Sequence, residues 1–304
     1  MIVNSQTPTT AVLLFSLKGS IIPAIWKKVV FTVLISSIIT MTHGNLFDFQ
    51  MALTATPFTL WGLTLAIFLT FRNTAAYQRF WEARTLWGEL AIVSRTLARQ
   101  GRSLLPDNEP QRRELNDAIT AFAYLLKDHL RDQAPGEDAR RLLCGGPLAS
   151  VLDAQSPPNA LLGRLGRRLM DRASDQGASD MVRVEMDRQL THMTHVLGGC
   201  ERIKTTPIPY PYILMLHRVV HIYCFMLPFC LIENIGWFTP FAVCVLAYTF
   251  FGLDALGDQI ADPFDTQPND LALGAICRNI ERAVSELNDL DAPPALVPEQ
   301  GVLL

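Results

Sequence analysis

The chain has 304 residues, 49% of them hydrophobic, with a positive mean hydropathy and a formal net charge of −3. That composition leaves a large soluble domain or a modest membrane protein. Between Arg72 and Lys204, 20 bases face 17 acids, a near balance that argues against a nucleic-acid surface.

Apolar residues concentrate in four runs, at 29–42, 51–71, 213–232 and 235–253, while 73–206 reads as soluble helical sequence. A helix needs about 20 apolar residues to cross a bilayer. The third and fourth runs meet that length, and the first two are shorter or weaker. Met1–Thr10 is polar and uncharged and Lys18 precedes the first long apolar run, so no cleaved signal peptide is expected. Run one, VVFTVLISSIITMT, follows Lys27 and Lys28 and is rich in β-branched residues, which leaves a buried strand as the alternative to a helix.

Run two contains PFTLWGLTLAIFLTFRN, residues 57–73. Thr56 suits a helix N-cap and Pro57 the first helical position. At 3.6 residues per turn, Leu63, Ile67 and Phe71 form one stripe, and Gly62, Ala66 and Thr70 form a second about 100° away. Small residues four apart allow close helix approach in a membrane. The bulky stripe is left either to pack among the chain's own other spans or to face other copies, where rings of Leu, Ile and Phe can gate by dewetting.

The following segment is helical at 82–105 and again at 111–132, where Leu115, Ile119, Phe122, Leu125, Leu126 and Leu130 recur at steps of three and four. Prolines and glycines punctuate 133–160. A helix over 181–197 is predicted to end at Gly198 and Gly199. His192 and His195, with Cys200 and Glu201 beyond, have the spacing of a partial metal cluster, but no further ligand has matching spacing. His217, Arg218 and His221 open run three, where they can snorkel to the interface. Trp237 and Phe238 occupy the turn between runs three and four, as interfacial aromatics do.

Arg72, Arg79 and Arg84 follow run two, and Arg202 and Lys204 precede run three. Cytoplasmic placement of these bases gives two membrane hairpins with both termini inside. Six cysteines stand singly with no CxxC, and no disulfide is assigned. After residue 253, ten acids face only Arg278 and Arg282, a formal charge of −8, which reads as a solvated face or as the wall of an ion path. No GxGxxG, P-loop, HExxH or GxSxG motif is present, so nothing nominates an enzyme. The pattern is all-α.

The motifs LKGSI (17–21), FRNTAAYQRFWEARTLWGEL (71–90), HVLGGCERIKTTPIPYPY (195–212) and DPFDTQPNDLAL (262–273) resemble bacterial bestrophins over nearly the whole chain. The resemblance implies a homopentameric, mostly helical channel around one central pore, with a hydrophobic neck and a cytoplasmic vestibule ending in a narrow aperture. By position in the motifs, the neck falls on Leu63, Ile67 and Phe71 and the aperture on Met181, with Val182 or Val184 as alternatives. The implied organisation is a cytoplasmic N-terminal segment (1–25) and a first hairpin (26–72) carrying the pore helix 57–72. A helical cytoplasmic domain (73–210), a second hairpin (211–255) and an acidic cytoplasmic tail (256–304) follow.

Eukaryotic relatives carry a calcium clasp; the corresponding segment here includes Gln259, Asp262, Gln267 and Asp270. Gln267 replaces an expected carboxylate and Pro268 interrupts the run. Calcium wants several oxygen ligands including carboxylates. A constitutive clasp held by protein hydrogen bonds is therefore expected rather than a calcium sensor, and no cofactor or metal is assigned. The expected partners are the other copies of the chain, membrane lipids and monovalent ions, with cations favoured for the bacterial branch and chloride as the alternative. The expected location is the bacterial inner membrane. A non-conducting membrane scaffold is the competing class.

Overall fold

A computed structural model describes residues 16, 19–42, 45–46, 49–50, 55–105, 109–298 and 301–303. It is helical apart from a two-residue antiparallel ladder, β1 (Asn45–Leu46) with β2 (Phe49–Gln50). The helices are α1 (Ile22–Met41), α2 (Ala55–Leu104), α3 (Glu109–Leu130), α4 (Glu137–Leu143), α5 (Pro157–Asp175), α6 (Asp180–Thr205), α7 (Tyr210–Ile235), α8 (Thr239–Ala261) and α9 (Leu273–Leu287). Short 3-10 turns occupy Ala149–Val151 and Gly236–Phe238. The chain divides into two compact units.

The first unit uses the described residues of Ser5–Phe80 and Pro207–Asp262. Its α1 is a helix, not the strand that its β-branched residues allowed. Ser20 Oγ accepts the Ile22 N–H at 3.2 Å, and Pro23 occupies the first turn, where its missing N–H costs nothing. Thr32, Ser36 and Thr40 make a buried stripe of small side chains, and Thr32 and Thr40 return their hydroxyls to Lys28 O and Ser36 O at 2.8 Å. Bulky Phe31, Leu34, Ile38 and Met41 point outward. The small stripe is covered together with Ile25 and Ile39, while the outward face of the helix is large and apolar.

Helices α7 and α8 meet at Gly236, whose φ of +51° suits glycine, and Thr239 Oγ1 donates to Gly236 O at 2.6 Å. Among the described residues two stretches are long and apolar enough to cross a membrane: Ile22–Met41 and the 52 residues Tyr210–Ala261, which the 236–238 turn interrupts. The core of this unit gathers Ile25, Leu65, Leu69, Leu216, Val220, Tyr223, Leu227, Val243, Ala247 and Phe251.

The second unit uses the described residues of Trp81–Thr206 and Pro263–Leu304. Helix α3 is its centre, buried without a break from Ala118 to Leu126, with α4, α5, α6 and α9 packed on it. Asp128 organises its C-terminal end: Oδ2 accepts the Gly136 N–H at 2.8 Å and its carbonyl accepts the Gln133 N–H at 2.9 Å. Helix α6 does not stop at Gly198–Gly199 as predicted. It continues to Thr205, because Gly199 serves a packing contact: a Cβ there would lie 2.8 Å from Leu86 Cδ1 of α2. The segments predicted at 57–72 and 82–105 are one 50-residue helix, α2.

Candidate pore stripe and the Arg72 network

In the part of α2 that belongs to the first unit, three faces separate cleanly. Leu65, Leu69, Arg72 and Ala76 are buried, and Gly62 lies against Tyr223 so closely that a Cβ would sit 2.3 Å from its Oη. Tyr223 is held there by stacking on Phe58 at 4.5 Å and by edge contacts with Trp61 and Phe250. Leu63, Ile67 and Phe71 remain 59%, 46% and 63% exposed on the opposite stripe. Large aliphatic and aromatic side chains in a row at this exposure form a patch that calls for a partner surface.

The residue after Phe71 turns inward. Arg72 is 1% exposed; Nη1 donates to Asp254 Oδ1 at 2.6 Å and to Asp254 O at 3.2 Å, and Nη2 pairs with Asp258. Asn73 Nδ2 donates to Leu253 O at 3.0 Å, Arg79 Nε to Ala261 O at 3.1 Å and Tyr212 Oη to Phe68 O at 3.2 Å. Gly257 makes room, since a Cβ there would stand 2.3 Å from Asn73 Oδ1. Polar side chains thus pin this stretch of α2 to α8 and, through Tyr212, to α7.

His217 joins the same network, with Nδ1 2.7 Å from Asp254 Oδ2. The partly exposed His217 side chain turns toward a buried carboxylate. His221 Nδ1 contacts His217 O at 2.6 Å, one turn along α7. Sequence inspection singled out Arg72 only as part of a motif and passed over Asp254 and Asp258. An acid directly after run four, together with a histidine in run three, was the available signal.

Met181 lies in the first turn of α6, 81% exposed, beside Asp180 and Val184. Ser179 caps the helix by accepting the Val182 N–H at 3.4 Å, and Asp180 pairs with Arg183 at 3.4 Å. Gln259 and Asp262 stand at the end of α8 in the first unit, each with interactions of its own. In the second unit Asp270 is buried and its Oδ2 accepts the Gln267 N–H at 2.7 Å, while Leu271 N–H reaches Pro263 O at 3.1 Å. Arg131 donates through Nε to Phe264 O at 3.0 Å.

The acidic tail is not one solvated face. Asp254 and Asp258 belong to Arg72; Glu281 is buried, accepting from Tyr124 Oη at 2.7 Å and from Arg141 at 2.6 Å; Asp289 pairs with Arg102 at 2.6 Å. Protein cations and donors already hold much of the tail's negative charge. The partial metal cluster around His192 and His195 is not assembled either: both are exposed, Cys200 is buried with its thiol pushed up to about 12 by loss of solvent, and Glu201 pairs with His129 at 2.9 Å.

A helical chain with two stretches long and apolar enough to cross a membrane and an exposed bulky stripe is consistent with a membrane protein. The bacterial/fungal bestrophin family matches residues 1–286, and the chain belongs to that family. It is 39% identical over 304 residues to a voltage-dependent anion channel-forming protein of Mesorhizobium japonicum, covering 99% of this chain and 96% of that one. It is 37% identical over 288 residues to the voltage-dependent anion channel-forming protein YneE of Escherichia coli K12, covering 94% of each. The crystal structure of a bestrophin homologue from Klebsiella pneumoniae superposes with a TM-score of 0.84 at 38% identity, covering 88% of this chain and 99% of that one. The Mesorhizobium and Escherichia relatives are channel-forming proteins by name, and the family is one of channels rather than enzymes.

Proposed function

We propose that the chain is the subunit of a homopentameric ion channel of the bacterial inner membrane, passing monovalent ions passively and catalysing no reaction. The observation that carries this reading is the stripe Leu63, Ile67 and Phe71, left bare opposite the face on which Leu65, Leu69 and Arg72 are buried and pinned. Five copies placing it on a common axis would form three successive apolar rings, a neck able to gate by dewetting. Met181, on the open first turn of α6, would form the cytoplasmic aperture, where methionine flexibility makes the opening rotamer-dependent. Residues 26–72 and 211–255 would be the membrane hairpins, and 1–25, 73–210 and 256–304 the cytoplasmic parts.

For the permeant ion, the first reading is a cation. It rests on Asp180, whose side chain is 94% exposed beside Met181, so a pentamer would carry a ring of carboxylates there. The second reading is an anion, favoured by the names of the relatives. Purified protein in a planar bilayer under asymmetric NaCl separates them. A reversal potential displaced toward the sodium equilibrium potential supports cations, displacement toward that of chloride supports anions, and absence of current supports a scaffold.

A further inference from the structure

His217 Nδ1 and single carboxylate oxygens of Asp254 and Asp258 lie within 4.8 Å of one another, and among the described residues they are the one such trio of metal-type ligands. Asp254 is fully buried. Its Oδ1 is engaged by Arg72, but its Oδ2 makes no hydrogen bond, and neither does His217 Nδ1, although the two atoms are only 2.7 Å apart. The two atoms make a close ionic contact without a directed hydrogen bond. A buried carboxylate oxygen without a directed donor is costly, and a third body that both atoms can address removes the cost.

We propose that this trio binds a divalent cation of the zinc type, which ties α7 to α8 one residue beyond Phe71 of α2. One imidazole nitrogen and two carboxylate oxygens suit zinc and its first-row neighbours. Bonds of about 2.1 Å in a tetrahedron set ligand atoms about 3.4 Å apart, so metal entry widens the 2.7 Å His217–Asp254 contact slightly and keeps the trio within its 4.8 Å spread. The side chains of His217 and Asp258 are 37% and 47% exposed, so water can complete the coordination from the open side. Arg72 holds the other oxygen of Asp254 and steadies the ligand from behind, as outer partners of metal carboxylates do. With His217 neutral, two carboxylates and one guanidinium leave the site net negative before the cation enters.

The test is equilibrium dialysis of the full-length protein in detergent against ZnCl2, in a His192→Ala/His195→Ala background that removes the exposed pair on α6. The site predicts one zinc per chain and a higher thermal midpoint with the metal. His217→Ala and Asp258→Asn each weaken binding at least about tenfold and abolish the thermal shift, while His221→Ala changes neither. Each variant is first matched to its parent in metal-free thermal midpoint, and two variants at exposed positions keep the test usable if one misfolds. Equal zinc binding in His217→Ala and Asp258→Asn, or no zinc in the parent, would overturn the site. Dialysis needs no current, so the outcome is independent of the channel reading.

Discussion

Arg72 Nη1 stands 2.6 Å from Asp254 Oδ1, with both side chains 1% exposed and the two residues 182 positions apart in the chain. A buried ion pair yields little net stability, but removing one partner strands the other charge at about 3–5 kcal/mol. Arg72→Met should therefore lower the thermal midpoint strongly, and adding Asp254→Asn should restore part of it. A double variant no more stable than Arg72→Met would show that the pair does not act as a unit.

Gly62 and Tyr223 give a steric counterpart. A methyl at Gly62 meets Tyr223 Oη at 2.3 Å and Cζ at 2.9 Å, and the ring cannot yield easily because Phe58 stacks on it. Gly62→Ala should cost about 1–3 kcal/mol by overpacking, and less in a Tyr223→Phe background, which removes the nearest atom. Chemical or thermal unfolding of the four proteins checks the cycle; equal costs in both backgrounds would refute the contact.

Asp117 supplies a pH dependence outside the membrane spans. Burial pushes its carboxyl from 3.8 up to about 6, against the pull of Arg113 and Arg141 and with some help from Glu281. A raised carboxyl pKa stabilises the fold fully below the unfolded value, and that stabilisation is lost as pH rises through the folded one. Asp117→Asn should therefore raise the thermal midpoint relative to the natural chain at pH 7.5 and leave it nearly unchanged at pH 4. A difference independent of pH would place the cause elsewhere.

Calcium removal should have no effect. Asp270 is already occupied by the Gln267 N–H, and Pro263 O by the Leu271 N–H, so the turn closes on its own hydrogen bonds. Stability and current are expected to be the same in EGTA and in millimolar calcium; a calcium-dependent shift abolished by Asp270→Asn would mean that the turn is a sensor.

Periodicity revealed the Leu63 stripe because a one-dimensional repeat maps directly onto one helix face. The same reasoning erred at Gly198–Gly199, where a glycine pair looked like a cap. Gly199 instead admits Leu86, more than a hundred positions earlier in the chain, and no local pattern records that. The Arg72, Asp254 and His217 association was hidden for the same reason, since each residue sits in its own helix and only tertiary packing joins them. Counting charges left the tail open between a solvated face and an ion-path wall, because a sum over sequence cannot distinguish a solvated acid from Glu281, which Tyr124 and Arg141 hold inside the fold.

The neck is the central claim, and Leu63→Ala/Ile67→Ala/Phe71→Ala tests it most directly. These side chains are exposed within one subunit, so their truncation should leave each chain folded. Single-channel recording of the purified triple variant in a planar bilayer, beside the natural protein and after assembly is verified by size, is predicted to show larger currents, because rings widened by truncation to methyl groups hold water that the bulky apolar rings expel. Unchanged currents in a correctly assembled pentamer would contradict the account.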